Sequence, residues 1–250
     1  KLQFLKMKKL ILLLFVVSAN ISLAQETALL RLNYEKGATY DVTMNMSQDM
    51  GAIMSMGMGI TINLKITEVY KDTYDSEMKF TKMTMDMLQG GNAMSFDSTK
   101  SEEDLDAGGK QMKTQMQPML DALMYAKGNN LGEIIEIKIE PNVMGMEDIA
   151  KQSSSVVYPK EAVKVGDNWS MTKEEKGMKM DFIYTVKTIL DDNVILNITG
   201  EISGMATGKI TGDMQIDRAS GVPLDSNINM VMNVSGQEMI SKVTMKTIKK

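Results

Sequence analysis

The chain has 250 residues, a formal net charge of −4, no histidine and no cysteine. Mild acidity, with no basic stripe interleaved with aromatics, argues against a nucleic acid partner. Without histidine and cysteine the commonest general base and the commonest low-pKa nucleophile are gone, so the chain reads as non-enzymatic, and nothing in it implies a cofactor.

Lys1 to Lys6 precede Met7 and read as upstream read-through. Met7-Lys8-Lys9, the apolar run Leu10 to Val17 and Ser22-Leu23-Ala24 have the order of a secretory signal peptide, with cleavage expected after Ala24. The expected location is periplasmic or secreted. Residues 25–250 are expected to form a single β-rich domain. Its parts are a first β half (25–110), a helical insert (111–157) and a second β half (158–250).

Strand signals dominate the first half. Tyr40, Val42, Met44 and Met46 alternate with polar residues, and so do Met54, Met56, Met58, Ile60, Ile62, Leu64 and Ile66. Period two with one apolar face predicts half-buried antiparallel strands. Gln48-Asp49-Met50-Gly51 and Asp72-Thr73 read as hairpin turns. Tyr74, Ser76, Met78 and Phe80 hold one parity, then Met83, Met85 and Met87 take the other. That switch predicts a bulge near Thr81-Lys82. Ser98 to Lys110 reads as a polar surface loop.

In the insert, Met112, Met116, Met119, Leu120, Leu123 and Met124 recur at helical spacing. Pro118 at a first turn and Gly128 as a stop predict a helix from Pro118 to Lys127. Glu133 to Glu140 reads as a strand with Ile135, Ile137 and Ile139 on one face. Val143 to Gln152 is weakly helical, and Ser153-Ser154-Ser155 is linker-like.

The second half repeats the first. Asn63 to Asp72 aligns with Ile183 to Asp192, and Met94 to Asp97 with Met214 to Asp217, both at an offset of 120. Upstream, Lys36 to Tyr40 matches Val165 to Trp169 if the first copy carries nine extra residues in its first hairpin. The second copy's face switch is expected at Ser203-Gly204, matching the first. Residues 60–97 and 180–217 are therefore expected to superpose.

Few motifs carry chemistry. Ser76-Glu77-Met78-Lys79 fits a Ser-x-x-Lys pattern but lies on a predicted strand with no companion motif. Glu102, Glu103, Asp104 and Asp106 fit no calcium loop and read as solvated. The 27 methionines fall in phase with the apolar alternation. That phase points to packing and cavity lining, which methionine suits, ahead of soft-metal binding such as Cu(I).

Lys36-Gly37 with Tyr40, then Val165-Gly166-Asp167 with Trp169, then Asp217 with Gly221 and Pro223, resemble an uncharacterised family of exported β-rich proteins of Gram-negative bacteria. The family has no established activity to carry over. The layout is also similar to the half-barrel of periplasmic lipoprotein carriers.

The expected fold is α+β and β-dominated. Two related β-meanders make a strongly curved antiparallel half-barrel, with the helical insert over its concave face. An acyl chain or other apolar small molecule is the expected partner. The expected lining is Met56, Met58, Ile60, Ile62, Leu64 and Ile66, their counterparts Met180, Phe182, Tyr184 and Val186, and Met119 and Leu123 of the insert. The alternative is a packed structural module of the cell envelope with a protein partner.

Overall fold

The computed structural model describes residues 26–143, 146, 156–175 and 177–250. The expected signal peptide, the Ser153-Ser154-Ser155 linker and nearly all of the weakly helical stretch before it lie outside them.

Two short strands, β1 (Thr27–Ala28) and β8 (Val163–Lys164), pair with each other. The other strands form one twelve-stranded antiparallel sheet. In chain order they are β2 (Thr39–Asp49), β3 (Met54–Val69), β4 (Thr73–Gln89), β5 (Asn92–Asp97), β6 (Leu123–Asn129), β7 (Ile134–Glu140), β9 (Asn168–Glu175), β10 (Met178–Ile189), β11 (Asn193–Gly204), β12 (Ala206–Asp217), β13 (Pro223–Val234) and β14 (Gln237–Lys249). Their spatial order is β7-β6-β4-β3-β2-β14-β13-β12-β11-β10-β9, with β5 beside the outer half of β4. The sheet is strongly curved and does not close on itself, a half-barrel. Helix α1 (Ala107–Asp121) packs on its concave face through Met112, Met116, Met119 and Leu120.

The duplication is written into the backbone. In the β3–β4 hairpin, Ile66 pairs with Ser76 and Glu68 with Asp75, so Thr67 is bulged. In β10–β11, Val186 pairs with Leu196 and Thr188 with Ile195, so Lys187 is bulged at the same place. Tyr40 faces Leu64 as Trp169 faces Tyr184, which confirms the nine extra residues of the first hairpin. The turn before each copy matches too. Gly37 N–H donates to the Ile66 carbonyl and Gly166 N–H to that of Val186, both at 2.8 Å.

The structure corrects the alignment further on. Thr81 is the bulge expected in β4, since Thr61 pairs with Lys82 and Ile62 with Phe80. The second copy has no such bulge: Gly204, at φ 96°, ends β11 and a hairpin turn follows. The counterpart of β12 is not β5 but β6. Tyr74 faces Gly128 as Val194 faces Ile216, and Ser76 faces Ala126 as Leu196 faces Met214. A matching bulge then falls between Lys127 and Gly128 and between Gln215 and Ile216. It puts Ile134, rather than Ile135, on the inner face, and Ile135 is exposed. The repeats are thus β2-β3-β4-β6-β7 and β9-β10-β11-β12-β13, with β5 and α1 inserted into the first.

The helix also differs from expectation. It starts inside the predicted loop, where the Asp106 carboxylate accepts the Gly109 N–H at 2.7 Å as an N-cap. Pro118 lies inside it on the exposed side, where water can satisfy the carbonyl left without its N–H. It ends at Asp121, because Leu123 to Asn129 is claimed by ladder bonds to β4 and β7. Leu123 is therefore a strand residue. It is opposite Lys79, on the face away from Met124 and the helix.

Candidate ligand cavity

One end of the half-barrel is closed by two extended arms, each leading into a repeat. Leu32 N–H donates to Asn130 and Asn33 N–H to Ser220, both at 2.8 Å. Tyr158 N–H donates to Leu131 at 2.8 Å, and its hydroxyl donates to the Gly221 carbonyl at 2.7 Å. Arg31 ties the arms together by donating to the carbonyls of Pro159 and Lys160. The arms lie so close to the β6–β7 and β12–β13 turns that no side chain fits between. A Cβ on Gly132 (φ +96°) would meet the Val156 carbonyl at 2.6 Å, and one on Gly221 (φ +66°) would land on that of Arg31.

Above this floor the two repeats differ. In the second, Tyr184, Val186, Val194, Leu196, Ile198, Ile210, Met214 and Ile216 are at most 1% exposed and form a filled core with Leu30, Val156 and Tyr158. In the first, the same face lines a half-open cavity of about 170 Å³. β2 supplies Val42 and Met44, β3 supplies Ile62 and Leu64, and β4 supplies Tyr74, Ser76 and Met78. Met245 and Thr247 come from β14, and Leu32, Tyr34 and Tyr158 from the arms.

The repeat register shows why. Ser76 occupies the position of Leu196, Ala126 that of Met214, and Leu64 that of Tyr184. Side chains that fill the second repeat are smaller in the first, on the same frame. Gly128, which replaces Ile216, is the exception: the Tyr74 ring lies over it, 2.5 Å from where a Cβ would stand.

The cavity wall is apolar with a few hydroxyls. Ser76 donates to the Ala126 carbonyl at 3.3 Å. Tyr34 packs edge-on against Tyr40 and Tyr74, with centroids 5.5 and 4.8 Å away. Burial raises the Tyr34 and Tyr158 phenols well above their ordinary range and pushes Tyr74 up to about 12. All three are neutral at physiological pH.

The stripe of β3 continues away from the cavity. Ile60 packs under the helix with Phe80 and Met83. Met58 is half-buried and pairs with Met46 and Met85. Met56 lies in an open depression of about 620 Å³, with Met87, Met94, Gln48 and Asp106. Met44, 36% exposed, is uncovered on the inner face of β2.

The expected lining residues thus divide. Ile62 and Leu64 line the cavity, and Met56, Met58 and Ile60 extend from it along β3. Ile66 is fully buried in a small core with Tyr40, Tyr74 and Val222. The stripe Met180, Phe182, Tyr184 and Val186, expected to face the helix, packs in the second repeat's own core instead. Met119 packs from the helix onto the sheet, and Leu123 points to the other face. Sequence reasoning did not single out Val42, Met44, Tyr34 or Thr247 as lining. The signal for Ser76 was present, since the aligned repeats set it directly against Leu196.

The model of a family of unknown function, DUF6263, matches residues 144–244. No curated protein matches the chain. Among solved structures, the fold is similar to a chain of lipovitellin, from a study of lipid–protein interactions in that protein, at a TM-score of 0.56 and 10% identity. The match covers 87% of this chain and 25% of the lipovitellin chain. At that identity the likeness is one of fold.

Proposed function

We propose that the protein is a non-enzymatic periplasmic or secreted binding protein for an acyl chain or another apolar ligand, held on the inner face of the first repeat. One observation carries this reading: two repeats share a backbone frame, and only the second fills it. The first repeat leaves aliphatic and methionine surface of Val42, Met44, Ile62 and Leu64 facing the cavity, and covering such surface with an apolar molecule is favourable. Flexible thioether side chains accept varied apolar shapes, which suits the uncovered wall of Met44, Met56 and Met58. The fold likeness to lipovitellin, whose solved structure concerns lipid–protein interactions, points the same way.

The test is native mass spectrometry of gently purified protein, with displacement of an apolar fluorescent dye. Co-purified lipid, or saturable dye binding competed by a long-chain amphiphile, is the expected result. Protein free of lipid that binds no dye would overturn the reading in favour of a packed envelope module.

A further inference from the structure

The cavity and the stripe beside it are chemically unequal. Among the described residues that line the cavity, none carries a charge. Its polar groups are hydroxyls. Thr247 is 9% exposed, and neither its hydroxyl nor those of Tyr34 and Tyr74 makes a hydrogen bond among the described residues. At about 170 Å³ the cavity is close in size to an apolar cavity of ~150 Å³ that admits one benzene ring. It has room for a small head group and a few carbons, not for a whole chain. Beyond Ile62 the β3 stripe passes under the helix at Ile60, so the exposed member of the cavity wall is Met44, 36% exposed.

We infer that the ligand binds head inward, with an uncharged oxygen-bearing head group, an alcohol or an ester, in the cavity lined by the hydroxyls of Thr247, Tyr34 and Tyr74, and its chain leaving past the exposed Met44. This rests on the reading of the cavity as a ligand site. A carboxylate or phosphate in the same place would be a buried charge without a cation, and an ammonium one without an anion. Both are strongly disfavoured, and an acid would take up a proton instead. The raised phenol pKa values keep Tyr34 and Tyr74 as neutral donors, so the walls supply no compensating charge.

The experiment compares dodecanol, methyl dodecanoate, dodecanoate and dodecyltrimethylammonium, below micelle formation, as competitors of a bound apolar dye. At about pH 8 the alcohol and the ester should bind at least ~10-fold more tightly than either ion. Acidification should recover binding of the carboxylic acid and leave the alcohol unchanged. Thr247→Val, which keeps side-chain shape, should weaken the alcohol several-fold and leave head-less dodecane unaffected. Tyr74→Phe is the second variant, should the first fail to fold. Equal binding of dodecanoate or the cation, or equal effects of both variants on dodecanol and dodecane, would overturn the head-group assignment and leave the cavity as a ligand site. If no probe displaces the dye and dodecane also fails, the ligand site itself is refuted, and the assignment with it.

Discussion

Ser76→Leu asks the first repeat to copy the second. Leu196 at the equivalent position is fully buried, and Ser76 borders a cavity of about 170 Å³. Burying a leucine side chain contributes about 1.5–3 kcal/mol. Against it stands the Ser76–Ala126 hydrogen bond, long at 3.3 Å, worth about 0.5–1.5 kcal/mol. A net gain of about 1–2 kcal/mol is expected, a Tm rise of roughly 2–8 °C for a chain of this size. Delipidated protein must be used, because bound ligand stabilises the wild type by mass action. Thermal or urea denaturation reads the stability, and dye displacement reads the cavity. The variant should be more stable and should bind poorly. Lower stability combined with undiminished dye binding would show that the void is not where the ligand sits and that the repeats are not interchangeable frames.

Ile62→Trp adds bulk without charge to the same cavity. It should cut dye and lipid binding severalfold while circular dichroism stays native. Gly221→Ala puts a Cβ against the Arg31 carbonyl at a left-handed backbone position. It should cost about 2 kcal/mol or more of stability, read as a lower denaturant midpoint, and expose the arm 26–34 to proteolysis. The folded-state pKa of Tyr74 is raised to about 12, above the ordinary 10.0. The neutral phenol is therefore favoured in the folded state, and the associated stability is complete below pH 10 and lost as pH rises towards 12. Alkaline denaturation followed by tyrosinate absorbance should show that loss, and Tyr74→Phe should shrink it.

The strands of this fold were legible because one face of each alternates. The unbroken even-numbered stripe from Met54 to Ile66 dictates a long half-buried strand, and the parity switch at Phe80 to Met83 located the Thr81 bulge. The turn glycines Gly37 and Gly166 fixed the start of each repeat. What failed was local pattern against tertiary pairing. Met112 to Met124 keeps helical spacing through Asp121, and nothing in Leu123-Met124-Tyr125-Ala126 announces that β4 and β7 will claim it. The equivalence of β6 with β12 was hidden by the inserted β5 and α1, which put a second apparent match, Met94 to Asp97, at the offset of the first. The site was half legible for the same reason. Composition alone treats Ile62 and Phe182 as one kind of residue. They separate only when neighbouring strands reveal that Ser76 and Ala126 leave space where Leu196 and Met214 take it up.

β14 is the last strand in chain order, yet it stands in the middle of the sheet, between β2 of the first repeat and β13 of the second. Each repeat has its inner edge open until Gln237–Lys249 arrives. Synthesis and folding are therefore out of step: the strands on both sides must wait, with two ladders of unpaired amides and carbonyls, for a segment made after them. Such long-range closure slows folding. A chain interrupted before Gln237 would not be a smaller stable protein but two sticky sheet edges, each ready to recruit a strand from another molecule.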